Sequence, residues 1–548
     1  TLFAMTATAD HVFYNGNVLP FCNERSNEKY SFIAVGQDKI IALGSGDDFK
    51  AYVVEGETKL HDLEGCTVLP GFIESHNHFN AVANQWGWLD LGITQCNTIP
   101  EVLSKIKNAA EELAQQPIQD DKPLPWIKCV GFDDTLISEC RDLVKEEIDE
   151  VSGNFPVWIW HPSLHRAYVN SKALEIAGID EKVENPEGGG IFVRNSEGKL
   201  TGQMEEMAAY QKVYVHLNKT LDMSTKRADM WETGKYFASK GITTVHDLFV
   251  GPMLYNLYRN AFAAHTADNP FPIRVTVYTP PHWKDRPETT GFDPLFLRFG
   301  GTKLFADGSI QCHTACCLEP YHDVPDAKGN LLFSEEQLGG VVENLHKIGR
   351  QIAVHCNGDG AIEAFIAAVI RANELHPRDD HRHRIEHCQM VTPEQLKKMK
   401  QAGICASFFV GHVFFWGDRH KNIFLGPERS QRISPLNSAV ENGIKFGLHS
   451  DCPVTPVNPL HSVWIAATRK TKTNDVLGSD EKITVEQALR AYTIDAAYLN
   501  FEDHLKGSLE VGKLADLVVL SKDPLSVPID EIPTIEIKQT IVGGRRIC

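Results

Sequence analysis

No apolar run in this chain approaches the ~20 residues that a membrane-crossing helix requires. The opening stretch TLFAMTATADHVFYNGNVLPF lacks the basic start and apolar middle of a secretory signal, and Thr1 in place of an initiator fits a processed end. None of the 13 cysteines stands in a CxxC spacing, so the usual marks of a zinc ribbon or a redox pair are missing. Adjacent Cys316 and Cys317 suit buried thiols better than a disulfide framework. No GxGxxG follows a first strand, and NGDG at 357–360 is too short to stand in for a dinucleotide-binding turn. Internal repeats and low-complexity tracts are absent. Positive charge is scarce: 54 Lys and Arg face 72 Asp and Glu, and the net charge of −18 argues against nucleic acid or an anionic membrane as partner. What remains has 42% hydrophobic and 23% charged residues, the composition of a soluble globular protein, expected in a reducing, cytoplasmic setting. Its 548 residues allow a large core and more than one structural unit.

The order of elements points to one architecture. Short β-rich runs, most of them followed by a helical stretch, appear as LPGFIESHNH, GITTVHDLF, FPIRVTVYTP, GGTKLFADGS, RQIAVHCNGD, RHRIEHCQM, GICASFF and IKFGLHSDCP. Alternating βα units favour a parallel sheet, and eight of them match a closed α/β barrel of the TIM type. Both ends of the chain carry strand-and-turn segments of another style, so residues 1–68 and 500–548 are expected to form one small β-sandwich beside a barrel of residues 69–499. The long gap after the first strand, about residues 85–235, is expected to be an insertion. It includes the polar helical stretch PEVLSKIKNAAEELAQQPIQDDK and the turn-rich ENPEGGGIFVRNSEGKL.

Catalytic groups in such barrels gather at the C-terminal ends of the strands. The first candidate strand ends in His76-Asn77-His78, the fourth carries Lys303, the fifth ends near His355, the sixth near His387 and the eighth in Asp451. Side chains two apart on a strand share a face, so His76 and His78 suit a grip on one ion, although a histidine pair at a strand end is equally compatible with an ordinary surface. Zinc favours imidazole nitrogen and carboxylate oxygen, and a catalytic site keeps one position open. Joint placement on one rim is what turns single histidines into a metal-site expectation.

With these motifs in view, the sequence resembles the amidohydrolase superfamily, in particular its YtcJ-like, N-substituted formamide deformylase-like branch. The matching segments also include RAYVNSKAL, KLFADGSIQCHTA and ITVEQALRAYTIDAAY, and the resemblance runs over essentially the whole chain. It implies a metal-dependent hydrolase of amide-type C–N bonds, acting on a small and partly apolar substrate. By that resemblance His76 and His78 hold the more buried metal, and His355 and His387 hold the second in members with two. Lys303 bridges the ions as a carboxylated lysine, and Asp451 binds metal and handles the proton of the attacking water. One or two zinc ions are expected, two being preferred, in a homodimer. Deamination or cyclic-amide opening at the same site is the alternative reading, and a ligand-binding barrel without catalysis a more distant one.

Further positions are candidates for substrate contact: His165 and Asn170 from the insertion, His313, His412 in the aromatic stretch FFVGHVFFWGDRH, and His449. Glu206, Asp247 and Asp359 are candidates for supporting the ligands, with helix surface, strand end and turn as their plainer roles. Two positions depart from the family pattern. His313 stands where an arginine before TA is common, and His449 where glycine is common, sharing a strand face with Asp451.

Overall fold

The computed structural model describes residues 8–22, 29–92, 95–117, 123–187, 189–220, 223–266, 269–283 and 292–548. Thr1, residues 118–122 of the polar helical stretch and Gly188 of the turn-rich stretch lie outside them. The chain separates into two compact units, 1–80 with 230–548, and 81–229.

In the larger unit the eight β-rich runs are the eight strands of one sheet: β1 Phe72–Asn77, β2 Ile242–Leu248, β3 Arg274–Thr279, β4 Leu297–Phe305, β5 Ile352–Cys356, β6 Arg384–His387, β7 Cys405–Phe408 and β8 Phe446–Leu448. Every ladder is parallel and neighbours follow chain order. Most of these strand residues are buried, as expected of strands covered on both faces, which read as continuous apolar runs rather than alternating ones. β1 and β8 approach without a ladder: the Ser75 hydroxyl donates to the Leu448 carbonyl at 3.0 Å, nearly closing the sheet into a TIM-like barrel. Helices return the chain between strands. The one at Asp359–Leu375 follows β5. That at Pro393–Gln401 follows β6 and begins with Pro393 after a Thr392–Gln395 capping box.

Residues from both chain ends build a four-stranded and a five-stranded sheet. A shared core sets Phe13, Ile33 and Val35 against Leu517, Val519 and Ile541. Arg274 of β3 is fully buried and forks onto Asp516 at 2.7 and 2.9 Å, tying this layer to the barrel wall. The unit 81–229 contains a six-stranded sheet of short strands, with Trp158, Trp160 and Phe192 in its core. The helical and turn-rich reading of this region did not anticipate a sheet.

Candidate active site

The rim of the barrel is built from strand ends, and its histidines are oriented by hydrogen bonds that fix their tautomers. Nδ1 of His76 lies 2.6 Å from Glu386 Oε2, and Nδ1 of His78 lies 3.0 Å from the Leu248 carbonyl. Carboxylate and carbonyl oxygens accept, so both rings carry their proton on Nδ1 and turn Nε2 towards the centre of the site. Those two Nε2 atoms converge on Asp451 Oδ1, at 3.2 and 3.4 Å. His387 Nδ1 stands 3.8 Å from Asp451 Oδ2, and ligand atoms of His76, His387 and Asp451 all lie within 4.8 Å of one another. His355 is held the opposite way. Its Nε2 donates to the Gly308 carbonyl at 2.9 Å, and its ring centroid is 4.4 Å from that of His387. Gly308 itself is closely packed, since a Cβ there would come 2.1 Å from the Thr314 hydroxyl.

Lys303 sits inside this group, with Nζ 3.5 Å from His76 Nε2 and fully buried. Burial pushes its ammonium down to about 8, against the opposing pull of Glu386 and Asp451. Burial, then the charge of Lys303, holds His76 well below the ordinary histidine range, so its ring is neutral and able to bind a cation. Three non-glycine residues here occupy the left-handed region: His387 (φ 68°), Cys388 (φ 50°) and Asp451 (φ 55°). Such backbone costs free energy and gathers at functional sites.

Two residues of this centre escaped the sequence reading. Glu386 orients His76, and Arg384 holds Glu386 with Nε 2.6 Å from its Oε1; both are fully buried. Burial pushes the Glu386 carboxyl up, while Arg384 and Lys303 pull it down. Glu74 is also buried in β1. It accepts from Ser450 N at 2.5 Å, and burial raises it to about 8. The available signal was a charged residue inside an otherwise apolar strand run, as in FIES and RIEH.

The remaining candidates separate clearly. His449 is stacked on His76, with centroids 4.6 Å apart and planes at 16°. His412 lies one aromatic ring farther out, against Phe409 at 4.5 Å, and its Nδ1 meets Gln311 at 3.3 Å and His420 at 3.2 Å. His313 is engaged elsewhere, paired with Asp323 at 2.9 Å. Asp247 accepts from the Tyr258 hydroxyl at 2.5 Å and from Asn80 N at 3.0 Å, and burial lifts it to about 7. Asp359 accepts from Leu318 N at 2.8 Å at the start of its helix.

In the unit 81–229, Asn170 caps the helix Ser171–Ile176. It accepts from Ala173 N and Val157 N and donates to Ser152 and the Phe155 carbonyl, so its side chain is spent on the fold. His165 and Glu206 face each other at 3.0 Å. Burial pushes Glu206 up, but His165 more than offsets this and leaves it below its usual value. Asp133, Asp134 and His161 form a second group of metal-ligand types, in which Arg166 already neutralises Asp134 at 3.0 Å.

A parallel eight-stranded barrel with imidazole lone pairs and a carboxylate converging at its rim defines a class, that of barrel hydrolases built around a metal. Residues 59–548 match the Amidohydrolase family, and the chain belongs to it. It is 27% identical to N-substituted formamide deformylase of Arthrobacter pascens, over 98% of both chains. It is 29% identical to Protein LONG AFTER FAR-RED 3 of Arabidopsis thaliana, over 98% of this chain and 91% of that one. The putative amidohydrolase YtcJ of Bacillus subtilis is 27% identical, over 97% of this chain and 98% of its own. Among solved structures, uncharacterized metal-dependent hydrolases of Pyrococcus horikoshii and Pyrococcus furiosus share the fold. Their TM-scores are 0.75 and 0.72 and their identities 22% and 23%, with coverage of 95% and 94% of this chain and 99% and 100% of theirs. Family and relatives together make this chain a hydrolytic enzyme of the metal-dependent amidohydrolase type.

Proposed function

We propose that this protein is a zinc-dependent hydrolase that cleaves the amide C–N bond of a small, partly apolar N-acyl or N-formyl amine. The observation that carries the reading is the convergence of the His76 and His78 Nε2 lone pairs on Asp451, with both tautomers fixed from behind. Nitrogen donors with a carboxylate suit zinc, and imidazole nitrogens facing a carboxylate fit a cation between them. His76, His78 and Asp451 would hold one ion, and His355 and His387 a second. Lys303, brought down to about 8 by burial, has an accessible neutral amine that favours carboxylation into a bridge. Zinc supplies Lewis acidity in this place, making a water easier to deprotonate and a carbonyl easier to attack. Asp451 accepts the proton of the attacking water at Oδ and returns it to the leaving nitrogen. Glu386 keeps His76 in its ligating tautomer, and Phe409 and Trp416 offer an apolar wall to the amine substituent.

The deformylase relative favours formamides within this class. All 13 cysteines are free thiols, in keeping with a reducing, cytoplasmic setting, and a homodimer is the assembly expected with it. A panel of formamides, N-acyl amines, lactams and aminated heterocycles, offered to zinc-loaded protein, tests the reading. Turnover confined to lactams or aminated rings replaces it, and full activity with less than about half an equivalent of metal removes the mechanism. Lys303→Ala should lower zinc from two equivalents towards one.

A further inference from the structure

Asp451 differs from the other strand-end residues of the rim in how its backbone is held. Lys303, His355 and His387 sit inside parallel ladders, paired with Ala353, Phe305 and Cys356. Asp451 lies beyond the end of β8 at Leu448, at the seam where β1 and β8 share no ladder. Its φ of 55° is in the left-handed region, which a non-glycine residue keeps only where its surroundings impose it. Sheet hydrogen bonds therefore do not determine where its carboxylate points.

β1 supplies the restraint instead. Glu74 shares the strand face of His76, and its Oε1 accepts from Ser450 N at 2.5 Å and from the Ser450 hydroxyl at 3.0 Å. One residue past Asp451, the Cys452 carbonyl accepts from His78 N at 2.9 Å. The Thr455 hydroxyl donates back to the Ser450 carbonyl at 2.6 Å, closing the same turn. Asp451 is thus gripped on both sides by the strand that carries His76 and His78, whose Nε2 atoms lie 3.2 and 3.4 Å from its Oδ1. Glu74 and Ser450 are buried, so water does not replace their bonds, and a Ser450 N–H without its acceptor is costly. A shift of the backbone at Ser450 would carry the next side chain with it and change both Oδ1 distances.

We propose that Glu74 is a positioning residue: by holding the N–H and hydroxyl of Ser450, it aims the Asp451 carboxylate at His76 and His78. Its effect on turnover rests on the hydrolase reading above. Its effect on Asp451 rests on the geometry of the seam.

The test uses full-length protein loaded with Co²⁺, whose visible bands report ligand geometry. Glu74→Met keeps the side-chain length and removes the acceptor, while Glu74→Gln keeps an acceptor oxygen without the charge. In Glu74→Met the cobalt bands should shift, and kcat on the best amide should fall about tenfold or more with KM within about twofold. Glu74→Gln should return both readouts close to those of the wild type. Wild-type bands and kcat in Glu74→Met overturn the proposal, even with a lower unfolding midpoint in urea, because Glu74 then serves barrel closure alone. Glu74→Gln as impaired as Glu74→Met also overturns it. If Glu74→Met fails to fold, Ser450→Ala decides, since it removes one of the two donors: shifted bands and a lower kcat support the proposal, and wild-type values overturn it. Wild-type protein that binds cobalt and turns over no amide removes the hydrolase reading, and the bands alone then decide on Glu74. Wild-type protein that takes up no cobalt overturns both.

Discussion

Histidines cluster at both ends of the barrel strands, and the two ends are chemically opposite. At their N-terminal ends His383 Nδ1 accepts from Ile352 N at 3.1 Å, and His383 Nε2 donates to His346 Nδ1 at 2.8 Å. His346 Nε2 donates to the His376 carbonyl at 2.8 Å. His381 accepts from His383 N at 3.0 Å and donates to the Ala402 carbonyl at 2.8 Å. Every nitrogen in this base cluster is spent, and each proton position is determined by its neighbours. At the C-terminal ends, the Nε2 atoms of His76 and His78 meet one carboxylate. Counting buried histidines does not tell a ligand site from a structural knot. Accounting for each lone pair does.

The contrast breaks first at Asp451. Asp451→Asn should reduce kcat/KM on the best amide by about a thousandfold or more with the circular dichroism unchanged, as the proposed double role of ligand and proton carrier requires. Near-normal rates would end its role. Glu386→Gln should weaken zinc binding by about 10- to 100-fold in a chelator competition, as expected for loss of the partner that fixes a ligand's tautomer. At the base, His383→Ala should lower the unfolding free energy in urea by about 1–3 kcal/mol through orphaned backbone and ring partners, with zinc content unchanged. A parallel fall in zinc would show that the two ends are not independent.

The smallest effect is in pH. Burial holds His381 at about 4, below the 6.5 of an exposed ring, and lowers His383 and His346 too; Arg378 adds to this, while Asp380 opposes it at His381. His376 lies beside His346 and faces Glu343 at 3.4 Å. As pH falls the unfolded chain takes up these protons first. The cluster's contribution is therefore complete above about 6.5 and declines from there towards 4. His381→Gln should flatten that slope by up to one proton in urea titrations at several pH values, and an unchanged slope would deny the cluster its part.

Most of the barrel was legible because each strand is a short apolar run with a polar end, a pattern that survives without neighbours. His76, His78, Lys303, His355, His387 and Asp451 were legible because strand ends share a rim. Glu386 and Arg384 were not, because their value lies in contacts across strands, between His76 and Glu386 and back to Ser75, that periodicity does not encode. The sheet in 81–229 was hidden by its shortness and order: Leu89–Asp90 has two residues, and its partner Ile127–Val130 lies beyond a 16-residue helix. Asn170 read as a substrate contact, and only its four bonds show it as a helix cap.

The seam between β1 and β8 has a consequence for how the protein is made. Glu74 and Ser450 touch across 376 residues of sequence, and His76 and Asp451 meet at the same seam. A ribosome emits His76 long before Asp451, so a nascent chain cannot assemble this carboxylate-and-imidazole site until the last barrel strand has been synthesised. Long-range closure of this kind is slow relative to local structure. Assembly of the site therefore waits for the last barrel strand.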